Sequence, residues 1–208
     1  MQHRKKRMHR AIAWALAAAL GLSCFGGLPA VAADTSVSAA EGQVTGGEAA
    51  VIREDGDSWT LENQAVRLGL AFTDGSLRMT SFYNKAAERE YLTADDETNY
   101  LFSYDWAGYE NGSGAVEASK QTVSSADGKW EMVGSPTVED VTTRNYDLDT
   151  LELGQSLEIV LQHATAGMQV TLQFEIYNGV GGIHYQTFIK NTGAEKMVIT
   201  ESDVISLN

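Results

Sequence analysis

Beyond its first 33 residues the chain has no cysteine at all, because its one cysteine is Cys24. If that leading segment is removed, disulfides, thiolate catalysis and cysteine-based metal sites are all excluded. Stability must then come from an apolar core. Histidine is equally scarce. Only His163 and His184 lie outside the leading segment, too far apart in sequence to suggest a local metal site. The chain has two prolines. No window of twelve or more residues sustains the 3.6-residue period of a helix outside the leading segment. The phosphate-cradling, zinc-protease and nucleophile-elbow patterns are missing too.

What is present begins with a leader. "MQHRKKRMHR" carries five Lys or Arg and no acid. The apolar run "AIAWALAAALGLS" follows, then "LPAVAAD" with small residues at Ala30 and Ala32 or at Val31 and Ala33. A basic start, a short apolar middle and an A-x-A end predict a secretory signal peptide over residues 1–33, cleaved after Ala32 or Ala33. The apolar run is short for a membrane span. Lipid attachment at Cys24 and an uncleaved anchor are the rival expectations. Without residues 1–33 the chain keeps ten Lys and Arg against 28 Asp and Glu, a net charge of about −18. Such a chain repels phosphate backbones and anionic membranes, so neither nucleic acid nor membrane is an expected partner.

Residues 34–50, "DTSVSAAEGQVTGGEAA", are small and polar and read as a flexible linker. Folded sequence is expected over 51–208. Val66, Leu68, Leu70 and Phe72 share one parity, so they define a buried strand face. Asp74-Gly75 turns the chain, and Leu77 and Met79 resume on the return strand. Leu157, Ile159 and Leu161 repeat the scheme. Met168, Val170, Leu172, Phe174 and Ile176 do so again, with Thr171, Gln173 and Glu175 opposite and a turn at Ala166-Gly167. Further strands are expected at 57–62, 98–105, 116–124, 129–133, 137–146, 183–190 and 196–201. Residues 84–91 could close one helical turn. Ten or so strands with short turns predict an all-β fold, an antiparallel β-sandwich of the large twisted kind. "ITESDVISLN" reads as a strand under way, so an incomplete sandwich is expected.

Candidate site residues are few. Trp106 and Tyr109 sit where "NYLFSYDWAGYENGSG" is expected to pass from strand to loop, and an exposed ring beside Asp and Asn suits a sugar face. His184 is a candidate sugar-hydroxyl contact at a sheet edge. His163 reads as structural, and Trp59 and Trp130 as core. Glu175, Glu201 and Asp203 are candidate carboxylates for glycoside hydrolysis, which needs two of them close together. Asp95 to Glu97 could contribute oxygen ligands to calcium but lack a binding-loop spacing, so no metal and no cofactor is expected. Asn111 matches a glycosylation sequon.

The order of these features resembles the N-terminal β-sandwich of large secreted glycoside hydrolases, notably family 36-type α-galactosidases, a galactose-mutarotase-like domain. Trp59, Leu61, Asn63, Asp74-Gly75, Asn84-Lys85 and Glu90-Tyr91 carry the first half of the resemblance. Glu175, Tyr177, Ile183, Asn191 and Gly193 carry the second. The resemblance implies a non-catalytic domain that packs against a C-terminal catalytic barrel of the same polypeptide, with no catalytic residue of its own. A stand-alone secreted carbohydrate-binding module is the second expectation. A catalytic sandwich would need His or Tyr with Glu or Arg grouped on one face, and no spacing in the sequence assembles that group. A cell-surface adhesion domain is the remaining alternative.

Overall fold

A computed structural model describes residues 49–92, 99–110, 114–145 and 150–206. The leader, most of the linker, Asp95 to Glu97 and Asn111 lie outside the described residues. Fourteen strands make up most of the described residues: β1 (Val51–Asp55), β2 (Ser58–Glu62), β3 (Val66–Thr73), β4 (Ser76–Asn84), β5 (Arg89–Glu90), β6 (Tyr100–Glu110), β7 (Gly114–Ala115), β8 (Gln121–Ser124), β9 (Trp130–Met132), β10 (Thr137–Asn145), β11 (Thr150–His163), β12 (Met168–Tyr177), β13 (Ile183–Asn191) and β14 (Met197–Ser206). Every pairing is antiparallel. Sheet one runs β1-β2-β3-β4-β5, sheet two runs β10-β11-β12-β13 with β9 on β11, and sheet three runs β14-β6-β7 with β8 on β6.

Period-two sequence produces this arrangement directly. β12 alternates buried and half-buried along its whole length. Its inward set, Met168 to Ile176, joins Leu157, Ile159 and Leu161 of β11 and Leu61, Leu68, Leu70 and Leu77 of sheet one in a single core. Leu101, Phe102 and Tyr104 of β6 complete that core. Trp59 and Trp130 are buried as expected. The Trp130 ring meets Phe102 edge-on at 5.3 Å and His163 edge-on at 4.8 Å. His163 is buried, receives the backbone N–H groups of Thr165 and Ala166 on Nδ1, and faces Asp127 through Nε2 at 3.1 Å. An Nδ1 that accepts must carry no proton, so Nε2–H is the donor to Asp127. His163 therefore ties the end of β11 to the 125–129 loop.

Several expectations are corrected. The all-β antiparallel fold is as expected, its strands divide into three sheets among the described residues, and β1 precedes the first strand expected. Residues 116–124 split into a 3-10 turn, Glu117–Ser119, and the shorter β8. The Ser119 hydroxyl donates to the Val116 carbonyl and receives the Gly108 N–H, which holds the turn closed. Residues 84–91 form no helix. The carboxylate of Glu90 receives the N–H groups of Phe82, Tyr91 and Leu92 and the Ser81 hydroxyl, which fixes β5 against β4 instead. β11 starts seven residues before the expected 157; the start is hidden because Gln155 interrupts the apolar parity that Leu151, Leu153 and Leu157 share.

Candidate functional site

Trp106 and Tyr109 do not lie in a loop. β6 continues through both, held by β14 and β7, with Ile199 opposite Trp106 and Ala115 opposite Tyr109. Three positions apart on one strand, they face opposite sides. Trp106 is half-buried against the core. Its Nε1 is buried and has no acceptor among the described residues. Tyr109 is exposed, and the Lys196 ammonium lies 5.7 Å from its ring centroid. His184 stands in a different sheet, on β13. The structure does not gather these three into one platform.

It gathers others around His184. β13 pairs with β12 so that His184 lies opposite Glu175, Gln186 opposite Gln173 and Phe188 opposite Thr171. All of these side chains leave the face of sheet two that turns away from the core, since their neighbours Leu172, Phe174 and Ile176 are fully buried. On that face one Glu175 oxygen, Oε2, meets the Tyr177 hydroxyl at 2.7 Å and His184 Nδ1 at 3.1 Å. The other, Oε1, accepts from the Gln173 amide at 3.1 Å. Gln173 in turn accepts from Gln186 Nε2 at 2.9 Å. The result is one connected array across β12 and β13.

Electrostatics follow from that geometry. Partial burial pushes the Tyr177 hydroxyl up to about 12, reinforced by its hydrogen bond to Glu175 and by that carboxylate's charge. Tyr177 is thus a fixed donor to Glu175 at neutral pH. Tyr185, inward on β13, is raised further by its deep burial, and its hydroxyl donates to the Leu101 carbonyl. Tyr104 is also raised by burial, partly offset by Thr187, which its hydroxyl meets at 2.6 Å. These last two contacts bind β13 to β6.

Of the carboxylates named from sequence, Glu175 is kept apart from the other two, while Glu201 and Asp203 stand two positions apart on one face of β14. Glu175 belongs to sheet two, Glu201 and Asp203 to the exposed strand β14. Among the described residues no cluster of three His, Cys, Asp or Glu side chains is placed to hold a metal, and no helix is long and apolar enough to cross a membrane. Gln186 and Tyr177 carried no chemical signal by themselves. The alternation of "VTLQFEIY" already puts Gln173, Glu175 and Tyr177 on one face, but the register that sets His184 against Glu175 is not written in either strand.

A second feature is apolar. Leu68, Met79, Phe82, Leu101, Phe174, Ile183, Tyr185 and Ile205 line a cavity of about 80 Å³ contributed by all three sheets. β13 and β14 are each the last strand of their sheets among the described residues. Near these edges Ile189, Val204 and Ile205 are exposed, Val204 by 56%. Ile205 is held at φ +56°, a conformation that β-branched residues rarely adopt.

Comparison with family models, with curated proteins and with solved structures gave no match.

Proposed function

We propose that this chain is the non-catalytic β-sandwich domain of an exported glycoside hydrolase, and that its main partner is a catalytic barrel. The observation that carries this reading is that, among the described residues, β13 and β14 are outermost strands of their sheets and carry exposed apolar side chains. β13 and β14 are nine and ten residues long. Sheet edges of that length are normally kept short, charged or covered, because unpaired N–H and C=O groups invite another chain. Here they coincide with exposed Ile189, Val204 and Ile205 and with an open apolar cavity. A cavity of about 80 Å³ has room for water, but its mostly apolar lining offers water few partners. An aliphatic side chain from a packed neighbour suits it better. The basic, apolar, small-residue order of residues 1–33 supports export.

The test is to sequence the gene past the codon for Asn208 and to size the purified chain. A frame that continues with alternating strand and helix patterns supports the role. A stop codon, with a monodisperse monomer that binds no hydrophobic dye, refutes it.

A further inference from the structure

We infer that the outer face of sheet two is a binding site for a neutral, hydroxyl-rich ligand, a sugar chain, centred on Glu175, His184 and Gln186 with Phe188 as its apolar platform. An ordinary solvated strand face consists of side chains that each turn to water. This face is different. Gln186, Gln173, Glu175, Tyr177 and His184 hold one another in a continuous hydrogen-bonded array. Their conformations are set before any ligand arrives, which lowers the ordering cost of binding.

Among the described residues the array also leaves the right groups unused. Gln186 spends one N–H on Gln173 and keeps its carbonyl oxygen and second N–H. His184 spends Nδ1 on Glu175 and keeps Nε2, on a side chain that is 57% exposed. The Tyr177 oxygen donates its proton to Glu175 and still accepts. Donors and acceptors thus alternate within a few ångströms. A sugar hydroxyl both donates and accepts, and it matches such a surface where a purely anionic or purely cationic group does not.

Phe188 supplies the remaining half of sugar recognition. It is 52% exposed and has the same parity on β13 as His184 and Gln186. At about 3.4 Å per residue, it lies on the order of 7 Å beyond Gln186 along the strand. An exposed aromatic ring beside hydrogen-bonding groups covers the C–H face of a pyranose. Charge selects among sugars. Glu158 and Glu139 on the same face, opposite Gln173 and Ser156 across the pairings, join Glu175 in a negative potential against the single Lys190 at the end of β13. Uronic or sulfated chains are disfavoured there.

The docking role does not underlie this assignment, because the array faces away from the core and from the cavity. The test is a binding panel on the full chain, read by calorimetry: cello-, malto- and galacto-oligosaccharides as neutral probes, polygalacturonate and chitosan oligosaccharides as charged ones. The expected result is binding of at least one neutral series, weakened tenfold or more in both Gln186→Ala and Phe188→Ala. Shifts in the His184 ring resonances of the unaltered chain should accompany that binding, which keeps the test valid if a variant misfolds. No neutral oligosaccharide bound by the folded chain would overturn the assignment. So would binding confined to the charged probes, or neutral binding indifferent to both variants with His184 unmoved.

Discussion

Asn63 is 1% exposed and its amide makes four hydrogen bonds. Nδ2 donates to the Tyr177 and Val180 carbonyls, and Oδ1 receives the Ala65 and Val66 N–H groups. One side chain therefore closes the β2–β3 turn and fastens it to the end of β12. Asn63→Ala leaves several buried backbone groups without partners, and should cost about 3 kcal/mol, on the order of 6–12 °C in melting temperature. Thermal unfolding followed by circular dichroism measures this. Glu90 acts at the other end of sheet one. Burial pushes its carboxyl up, but the Ser81 hydroxyl and the N–H groups of Phe82, Leu92 and Tyr91 outweigh that and hold it below the usual carboxylate range. A depressed folded value means stability present above the ordinary carboxylate range and lost as pH falls through the folded one. Glu90→Gln should flatten the acid limb of the stability profile, seen as urea midpoints that change less than the parent's between pH 5 and pH 3. A steeper limb in the variant would contradict this.

At the scale of elements, the β3–β4 hairpin shows how a local turn acquires a distant duty. Asp74 and Gly75 sit at φ 50° and 71°, the double positive-φ geometry favoured in two-residue hairpins. The tip then docks on the 125–130 segment, with the Leu77 N–H on the Ser125 carbonyl and the Trp130 N–H on the Gly75 carbonyl. A Cβ on Gly75 would stand 2.6 Å from the Gly128 oxygen. Gly75→Ala therefore suffers both a disfavoured φ and a backbone clash, and should lose about 2 kcal/mol. Gly56→Ala is its control. Gly56 has a similar φ of 59° with nothing near its Cβ, so it should lose distinctly less in the same denaturation assay.

For the whole molecule, three sheets share one core, so no sheet can leave without exposing the apolar faces of the others. Unfolding should be a single transition, with Trp fluorescence and far-ultraviolet circular dichroism coinciding. Trp59 and Trp130, buried within different sheets, report on both. Non-coincident curves would show that a sheet melts separately. The outer edges at β13 and β14 belong to this scale as well. Ile189→Lys combined with Val204→Lys should reduce hydrophobic-dye binding and self-association, with little change in melting temperature, since both positions are exposed. Light scattering and dye titration measure it.

Alternation along "AVRLGLAF", "SLEIVLQ" and "MQVTLQFEIY" was enough to determine an all-β chain, its main strands and much of its core. Strand periodicity is local, and each inward set needs only its own neighbours to be legible. The Asp74-Gly75 turn was legible for the same reason. The division into three sheets was not, because pairing partners such as β6 and β14 lie far apart in the chain. The same distance hid the failure of Trp106 and Tyr109 to share a face: "GYENGSG" suggested a loop where β14 in fact extends β6. His184 was visible as an isolated polar residue. Only the β12–β13 register set it against Glu175 beside Gln173 and Gln186, because a one-residue slip in that pairing would have sent His184 and Gln186 to the core side.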